Sequence, residues 1–185
     1  MNKEFLRSKL KHQTLMIYTD HPEGEEYNGI VLGVSDSLLV FQDTSEFELE
    51  GISILPLGHI VEVRNSWRER VYDKVLLHHD KLTDLNQDTW IHKLSTLRDV
   101  LIAVKERDIW PAIEIMDGDD DTLLYMGKIT EVNAEDFTIY SYDSLGNWER
   151  ETTIEYEDIF CIQIFNKYTE RFNSYVKSLL TKAAN

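Results

Sequence analysis

The residues most able to do chemistry are an acidic cluster, a histidine pair and a single cysteine. Asp117-Gly118-Asp119-Asp120-Asp121-Thr122 places carboxylates at alternate positions, as the start of a calcium loop does. A complete loop requires glycine at its sixth position and a bidentate acid at its twelfth, where this chain has Thr122 and Lys128. The spacing therefore predicts a solvated hairpin tip and not a metal site.

The histidine pair and the cysteine are predicted to have structural roles. Adjacent side chains on a helix point about 100° apart, so His78 and His79 cannot converge on one ion without a further ligand. We expect them to be polar residues at the C-terminus of a helix. Cys161 lies in the apolar run Ile159-Phe160-Cys161-Ile162, which lacks the cation that thiolate chemistry needs and predicts a packed thiol.

The sequence lacks the common catalytic motifs. It has no Gly-x-Ser-x-Gly elbow, no glycine-rich phosphate loop, no His-Glu-x-x-His helix and no Cys-x-x-Cys pair. We therefore predict a protein that is not an enzyme, with no catalytic, cofactor-binding or metal-binding residues and no cofactor.

The elements that would position any site occur twice. Residues 27–34 return at 125–132, an offset of 98, and residues 65–71 return at 166–172, an offset of 101. Matches with nearly equal offsets indicate a duplication with small loop insertions. We predict the domain organisation from this repeat and from the polar stretch between the copies: a first repeat at 1–78, a linker at 79–88 and a second repeat at 89–185.

Each copy predicts five short strands bracketed by helices, a mainly β fold. In the first copy, apolar residues and turn signals predict strands at 15–18, 29–34, 38–42, 52–57 and 60–64, followed by a helix at 67–77. The second copy predicts a helix at 90–107, strands at 112–116, 125–132, 137–142, 149–156 and 159–165, and a closing helix at 168–180.

Two segments of the first copy resemble the Sm-like small-barrel family. Gly29 to Phe41 looks like the first half of the family signature, and Leu57 to Asn65 looks like the second. The resemblance implies two tandem five-stranded Sm-like small barrels, each flanked by helices, similar to bacterial proteins built from tandem small barrels. RNA-binding members hold a uridine with an Asn and an Arg-Gly pair. Here the pair is replaced by Arg64-Asn65 and Phe165-Asn166, so RNA binding is not implied.

Charge is distributed unevenly along the chain, whose net charge is −15. Residues 12–63 hold ten acids and no Lys or Arg, and residues 108–149 hold eleven acids and only Lys128. Such segments repel phosphate backbones, so we predict no nucleic-acid partner. Either the charge serves solubility alone, or it attracts a basic protein.

The leading functional prediction is an immunity- or inhibitor-like interaction protein that binds a basic partner. Glu46, Glu48 and Glu50 alternate along one predicted strand and are the predicted contact residues. The alternative is a sensor of a small molecule or peptide that uses the cleft between the two repeats.

Compartment and membrane association are predicted from what the sequence lacks. The first residues have no apolar signal-peptide run, and no stretch approaches the roughly 18 apolar residues of a membrane span. One cysteine cannot form an intrachain disulfide. We expect a cytoplasmic protein without membrane contact.

One motif, Asn-x-aromatic-x-Glu-Arg, is shared by both copies at 65–70 and 166–171. It predicts a strand end followed by a helix start, with the Asn near the cap and the aromatic residue closing one end of the barrel. The alternative is a duplicated ligand contact.

Overall fold

A computed structural model of the chain describes residues 3–9, 13–79, 90–118 and 121–183. The chain divides into two compact units, Met1–Leu97 and Arg98–Asn185. The predicted linker at 79–88 lies outside the described residues apart from His79, so the predicted domain bounds stay a prediction.

The first unit contains five strands and two helices. In chain order they are α1 Lys3–Ser8, β1 Thr14–Thr19, β2 Glu26–Val34, β3 Leu38–Ser45, β4 Glu48–Pro56, β5 Ile60–Arg64 and α2 Trp67–His78, with a 3-10 turn at Leu57–His59. All five predicted strands and the predicted closing helix are confirmed.

The strands of the first unit form an antiparallel sheet in the order β5-β1-β2-β3-β4. Within β1 to β4, consecutive strands pair with each other, and β5 pairs with the free side of β1. The buried core includes Leu15, Ile17, Val31, Phe41 and Ile54. Burial of β-branched and aromatic residues on the inner face is what the strand patterns predict.

The second unit repeats this arrangement. Its elements are α3 Leu97–Glu106, of which the first residue belongs to the first unit, β6 Ala112–Met116, β7 Thr122–Val132, β8 Asp136–Tyr142, β9 Trp148–Glu155, β10 Ile159–Ile164 and α4 Lys167–Ala183, with a 3-10 turn at Tyr156–Asp158. The strand order is β10-β6-β7-β8-β9, which matches the first unit strand for strand.

The mainly β class is confirmed, whereas closed barrels are not. In the described part of each unit, the fifth strand pairs with the first strand and not with the fourth. Closure of a barrel requires hydrogen bonds between the two end strands. Turn signals in the sequence predict which neighbouring strands pair. Pairing between the two end strands of the sheet is non-local, so turn signals do not predict whether a barrel closes.

The predicted helix at 90–107 is wrong in its first part. Residues Ile91–Lys93 form a 3-10 turn, Leu94 is extended, and α3 begins only at Leu97. The carbonyl of Ser95 accepts hydrogen bonds from the hydroxyls of Ser35 and Ser37, at 2.9 and 2.7 Å. These bonds replace the bond that a continuous helix would give to that carbonyl.

Candidate functional site

The predicted contact residues Glu46, Glu48 and Glu50 lie at the β3–β4 hairpin. Strand β3 ends at Ser45 and β4 begins at Glu48, so placing Glu46 on a strand was wrong. Glu46 and Phe47 form a two-residue turn with φ of 49° and 62°, the left-handed values that a tight hairpin requires. Only Glu48 and Glu50 share one face of β4.

The hairpin tip is anchored on α2. The Phe47 ring stacks on Tyr72 with centroids 4.3 Å apart, and the Phe47 backbone N–H donates to the Tyr72 hydroxyl at 2.7 Å. Glu46 and Glu48 line a small depression beside Val75 and His79. Glu46 on the turn and Glu48 at the start of β4 therefore lie on an ordered hairpin beside the imidazole of His79.

A second acidic surface lies in the second unit and was not predicted from the sequence. We define the acidic face as Glu131, Asp136, Glu151 and Glu155. Glu151 and Glu155 are exposed on the same side of β9, and Ile154 on the other side is buried. Register links the others to the same side of the sheet, because Asp136 pairs with Glu155 and Glu131 pairs with Thr138, the partner of Thr153. A register shift between Glu151 and Trp148 places Glu149 on the other side, where it bonds to Ser141.

Strand β9 is the end strand of its sheet, so the acidic face borders an edge. In the described residues, no ion pair involves any of its four carboxylates. Lys128 shares a register row with Tyr140 and Glu151, but its ammonium pairs with Asp108 at 3.3 Å. The charge of the acidic face is therefore available to a partner.

A cavity of about 340 Å³ lies between the segment that precedes β6 and the start of α4, wholly within the second unit. Its apolar wall is formed by Ile109, Trp110 and Phe165. Its polar wall runs along α4 at Thr169, Glu170, Asn173, Ser174 and Lys177. Trp110 belongs to a buried cluster with Ala112, Met126, Tyr142 and Val176, so this wall is anchored in the core.

Hydrogen bonds hold the polar wall in place. Asn173 donates to the Trp110 carbonyl at 2.8 Å and accepts from the Tyr142 hydroxyl. The Lys177 ammonium lies over the Trp110 ring, 4.2 Å from its centroid, which is a cation–π contact. The position of α4 is thus tied to Trp110 at two points, and the cavity between them is a fixed feature of the unit.

Thr169 is the exception among these polar groups. Its side chain is 1% exposed, and its hydroxyl has no hydrogen-bond partner among the described residues. An unpartnered buried hydroxyl is unfavourable, because it has lost its hydrogen bonds to water without replacement.

Two cavity residues have left-handed backbone conformations. Asp108 has φ of 50° and Phe165 has φ of 60°. Neither residue is glycine, so each conformation is strained by about 1 kcal/mol or more. Asp108 is held by its ion pair with Lys128 and by the Trp110 indole N–H at 3.4 Å. Burial acts to raise the pKa of Asp108, but these partners and Lys177 outweigh it and lower the pKa below its usual value.

The corresponding helix start in the first unit contains a charged pair. Ser66 caps α2, and Glu69 at the third helical position closes a capping box. Glu69 is 3% exposed and accepts hydrogen bonds from the Ser66 backbone N–H and from Arg64. Burial acts to raise the pKa of Glu69, but these hydrogen bonds lower it to about 2.

The shared Asn-x-aromatic-x-Glu-Arg motif has the predicted strand-to-helix position but not the predicted packing. Asn166 caps α4 by accepting from the Thr169 N–H at 2.7 Å, whereas Asn65 precedes the cap and donates to the Thr14 carbonyl. The aromatic residues Trp67 and Tyr168 are each 63% exposed, so the prediction that they close a barrel end was wrong.

Other residues considered in the sequence have structural positions. His78 ends α2, as predicted. Cys161 is buried in β10, as predicted for a packed thiol. Residues 117–121 connect the antiparallel strands β6 and β7, which confirms a hairpin tip, although Asp119 and Asp120 lie outside the described residues.

The cavity residues were missed because their signal is non-local. Thr169 and Asn173 are polar residues four apart that share a face of α4 with the buried Val176. Polar residues on an inward helical face could have been noticed from the sequence, but nothing there places Trp110 opposite them.

In the described residues, no helix is both long enough and apolar enough to cross a membrane. No protein-family model, curated protein or solved structure matches the chain.

Proposed function

We propose that the chain is a non-catalytic, cytoplasmic interaction protein whose acidic surface binds a basic protein partner and not nucleic acid, in the manner of an immunity protein or inhibitor. The observation that carries the proposal is the acidic face at the β9 edge. Glu151 and Glu155 are exposed on one side of an end strand, Asp136 lies opposite Glu155 in the register, and no cation among the described residues pairs with these three carboxylates.

An acidic edge suits an extended basic segment. The outer side of an end strand presents backbone N–H and C=O groups that an added strand can pair with. Carboxylates four residues apart on one side of β9 then meet side chains four residues apart on that strand, since side chains on one face repeat every second residue. A partner strand with Lys or Arg four residues apart would match Glu151 and Glu155.

Each repeat is also proposed to descend from an Sm-like small barrel. The identical strand order of the two units supports this, as do Gly29 and Gly127, which occupy the same position relative to β3 and β8. The proposal concerns ancestry and fold type, and it carries no RNA-binding activity, because the uridine-binding residues are replaced.

The test compares two triple variants that remove the same charge from different units. In the first, Glu149, Glu151 and Glu155 are changed to Gln; in the second, Glu46, Glu48 and Glu50 are changed to Gln. Each variant and the unchanged chain are immobilised, proteins captured from lysate are identified by mass spectrometry, and association rates of the purified partner are measured at low and high salt. Raising salt from 0.1 M to 1 M shortens the Debye length from ~10 Å to ~3 Å.

We expect a basic partner whose association slows with salt and slows about tenfold or more in the β9 variant. The hairpin variant should associate at nearly the unchanged rate. The opposite pattern would move the contact to Glu46, Glu48 and Glu50. An acidic or neutral partner, or equal rates in both variants, would contradict the proposal and leave the charge as a solubility feature.

A further inference from the structure

The closing helix of the second unit carries an exposed row of aromatic side chains. We define the aromatic row as Tyr168, Phe172 and Tyr175, which lie four and three residues apart on one side of α4. The centroid of the Phe172 ring is 6.1 Å from the centroids of both tyrosine rings. Tyr168 is 63% exposed and Tyr175 is 50% exposed. Contiguous exposed apolar groups of this kind mark interaction sites.

The first unit shows what covers the equivalent part of its own closing helix. Counted from the helix cap, Tyr72 is the counterpart of Phe172. The Phe47 ring at the tip of the β3–β4 hairpin stacks on the Tyr72 ring, with 4.3 Å between the centroids. The residues on either side of Phe47 are the exposed glutamates Glu46 and Glu48. The group that covers α2 is therefore an aromatic ring with a carboxylate on each side.

The corresponding hairpin of the second unit supplies no such ring. The turn at 143–147, which joins β8 to β9, contains no aromatic residue and contacts α4 through Gly146. A Cβ added at Gly146 would lie 3.2 Å from the Tyr175 ring, and the φ of 85° favours glycine. The neighbouring Leu145 is 73% exposed. The turn thus leaves the aromatic row without the covering side chain that Phe47 provides on α2.

Positive charge adjoins the aromatic row. Arg171 lies three residues after Tyr168 and four before Tyr175, so it is next to both on the helix surface. It is exposed and has no ion pair among the described residues. Over its whole length, α4 has four basic residues and one acidic residue, Glu170. This excess of positive charge complements carboxylates that flank an aromatic ring.

We propose that the aromatic row binds a segment of another protein in which an aromatic side chain is flanked by acidic residues. The partner's ring would stack on Phe172 between the two tyrosines, and a neighbouring carboxylate would pair with Arg171. The two tyrosines and Leu145 together expose roughly 300–400 Å². Each partner in a stable interface buries roughly 800 Å². A short segment therefore fits the row better than a second copy of the chain, and the row shares no residue with the acidic face.

The test is a fluorescence anisotropy titration of a labelled peptide with the full chain. The probe has the sequence of residues 44–50, Thr-Ser-Glu-Phe-Glu-Leu-Glu. One control peptide has Ala in place of Phe, and another has Gln in place of each Glu. We expect saturable binding of the probe, about tenfold weaker binding of the Ala peptide and about fivefold weaker binding of the Gln peptide.

Variants within the shared motif locate the contact. Tyr168→Ala and Arg171→Glu change exposed side chains of α4, and each should weaken binding of the probe about tenfold. Trp67→Ala and Arg70→Glu are the matched controls, because they alter the same motif positions on α2 and Trp67 is as exposed as Tyr168. Both controls should leave binding unchanged.

Three results would overturn the proposal: no saturable binding of the probe, equal binding of the Ala peptide, or equal weakening by the α2 and α4 variants. Sedimentation velocity of the unchanged chain and of Tyr168→Ala tests the remaining occupant. A smaller species in Tyr168→Ala than in the unchanged chain would assign the aromatic row to a second copy and would also overturn the proposal.

Discussion

At the start of its closing helix, the first unit buries a carboxylate that is paired with a half-buried guanidinium, whereas the second unit has a neutral hydroxyl at the corresponding position. The positions correspond by their distance from the helix cap: Glu69 with Thr169, and the buried Leu76 with Val176. The next inward position also corresponds. Asp73 accepts from the Thr14 N–H and Asn173 donates to the Trp110 carbonyl, so both helices are tied to the segment that enters the first strand.

A second pair of positions differs in the same way. Gly29 in β2 pairs with Asp43, and Gly127 in β7 pairs with Ser141. The Asp43 carboxylate accepts a hydrogen bond from the buried Ser53. In the second unit the buried residue is Ser141, which donates to the exposed Glu149 at 3.1 Å. The first unit thus has a half-buried carboxyl group at this position, whereas the carboxyl group that contacts Ser141 in the second unit belongs to an exposed residue of β9.

This difference shows how duplicated sheets with one strand order can differ in the polar groups that they bury. A buried carboxylate requires a fixed set of partners, because an unpaired charge in the interior is very unfavourable. Glu69 has such partners in Ser66 and Arg64. A buried neutral hydroxyl is less unfavourable, and Thr169 at the corresponding position is buried without a hydrogen-bond partner among the described residues.

Substituting the paired glycines tests whether the two sheets correspond and should have the largest effect. A Cβ at Gly127 would lie 2.1 Å from the Tyr140 carbonyl oxygen, a backbone atom, so Gly127→Ala should destabilise the chain by about 4 kcal/mol. At Gly29 the nearest atom is Cδ2 of the Phe41 side chain at 2.3 Å, and Gly29→Ala should lose about 2 kcal/mol. Urea unfolding measures both losses of stability. A Gly127→Ala variant as stable as the unchanged chain would show that Gly29 and Gly127 do not have equivalent positions in the two sheets.

Replacing Glu69 and Glu170, the glutamates of the shared motif, should have very different effects on stability. Glu69→Ala should lower the free energy of unfolding by about 3 kcal/mol, because it removes the capping box and leaves Arg64 without its carboxylate. Glu170→Ala, at the same place in the sequence motif, should change it by less than about 0.5 kcal/mol because Glu170 is exposed. Equal losses in urea unfolding at pH 7 would mean that the motif has one role in both units.

The pH dependence of stability should report the buried carboxylate of the first unit. Burial raises the pKa of Asp43 from 3.8 to about 7, opposed by the Ser53 hydrogen bond and assisted by Glu50. The folded state therefore binds the proton more tightly than the unfolded state. The stability contributed by Asp43 is complete below about pH 4 and is lost as pH rises to about 7.

Asp43→Asn should remove this slope, which we expect to amount to about 3 kcal/mol between pH 4 and pH 7. Ser141→Ala, at the corresponding position of the second unit, should leave the slope unchanged. Thermal unfolding over this pH range provides the measurement, and a slope that persists in Asp43→Asn would show that another group causes it.

The smallest expected effect concerns two of the three buried hydroxyls that have no partner among the described residues. Thr44→Val should raise the free energy of unfolding by up to about 1 kcal/mol, because a buried hydroxyl without a partner is replaced by a methyl group. Thr169→Val should raise it by a similar amount, because its hydroxyl is buried and unpartnered in the same way. Urea unfolding measures both, and a loss of stability at Thr169 alone would set the second unit apart from the first at this position.

The local elements were predictable because their causes are local. Alternating apolar residues, turn residues and the repeated segments predicted all ten strands and the two closing helices. The break before α3 was not predictable, since it depends on the contact of Ser95 with Ser35 and Ser37, about sixty residues away in the chain. Similarly, the predicted contact Glu46 lies in a turn whose backbone conformation depends on the pairing of β3 with β4.

By itself, the sequence determined the duplication, the mainly β class and the excess of acids over bases, because these follow from residue order and composition. Only the tertiary structure decided which duplicated residues correspond in space. The sequence match aligned Glu69 with Glu170, whereas the helix caps align Glu69 with Thr169. A shift of one residue turns a helical side chain by about 100°, which moves it from the core to solvent. The Arg64–Glu69 ion pair and the cavity depend on that rotation, and the acidic face depends on strand register. Neither the rotation nor the register can be inferred from a single segment of the chain.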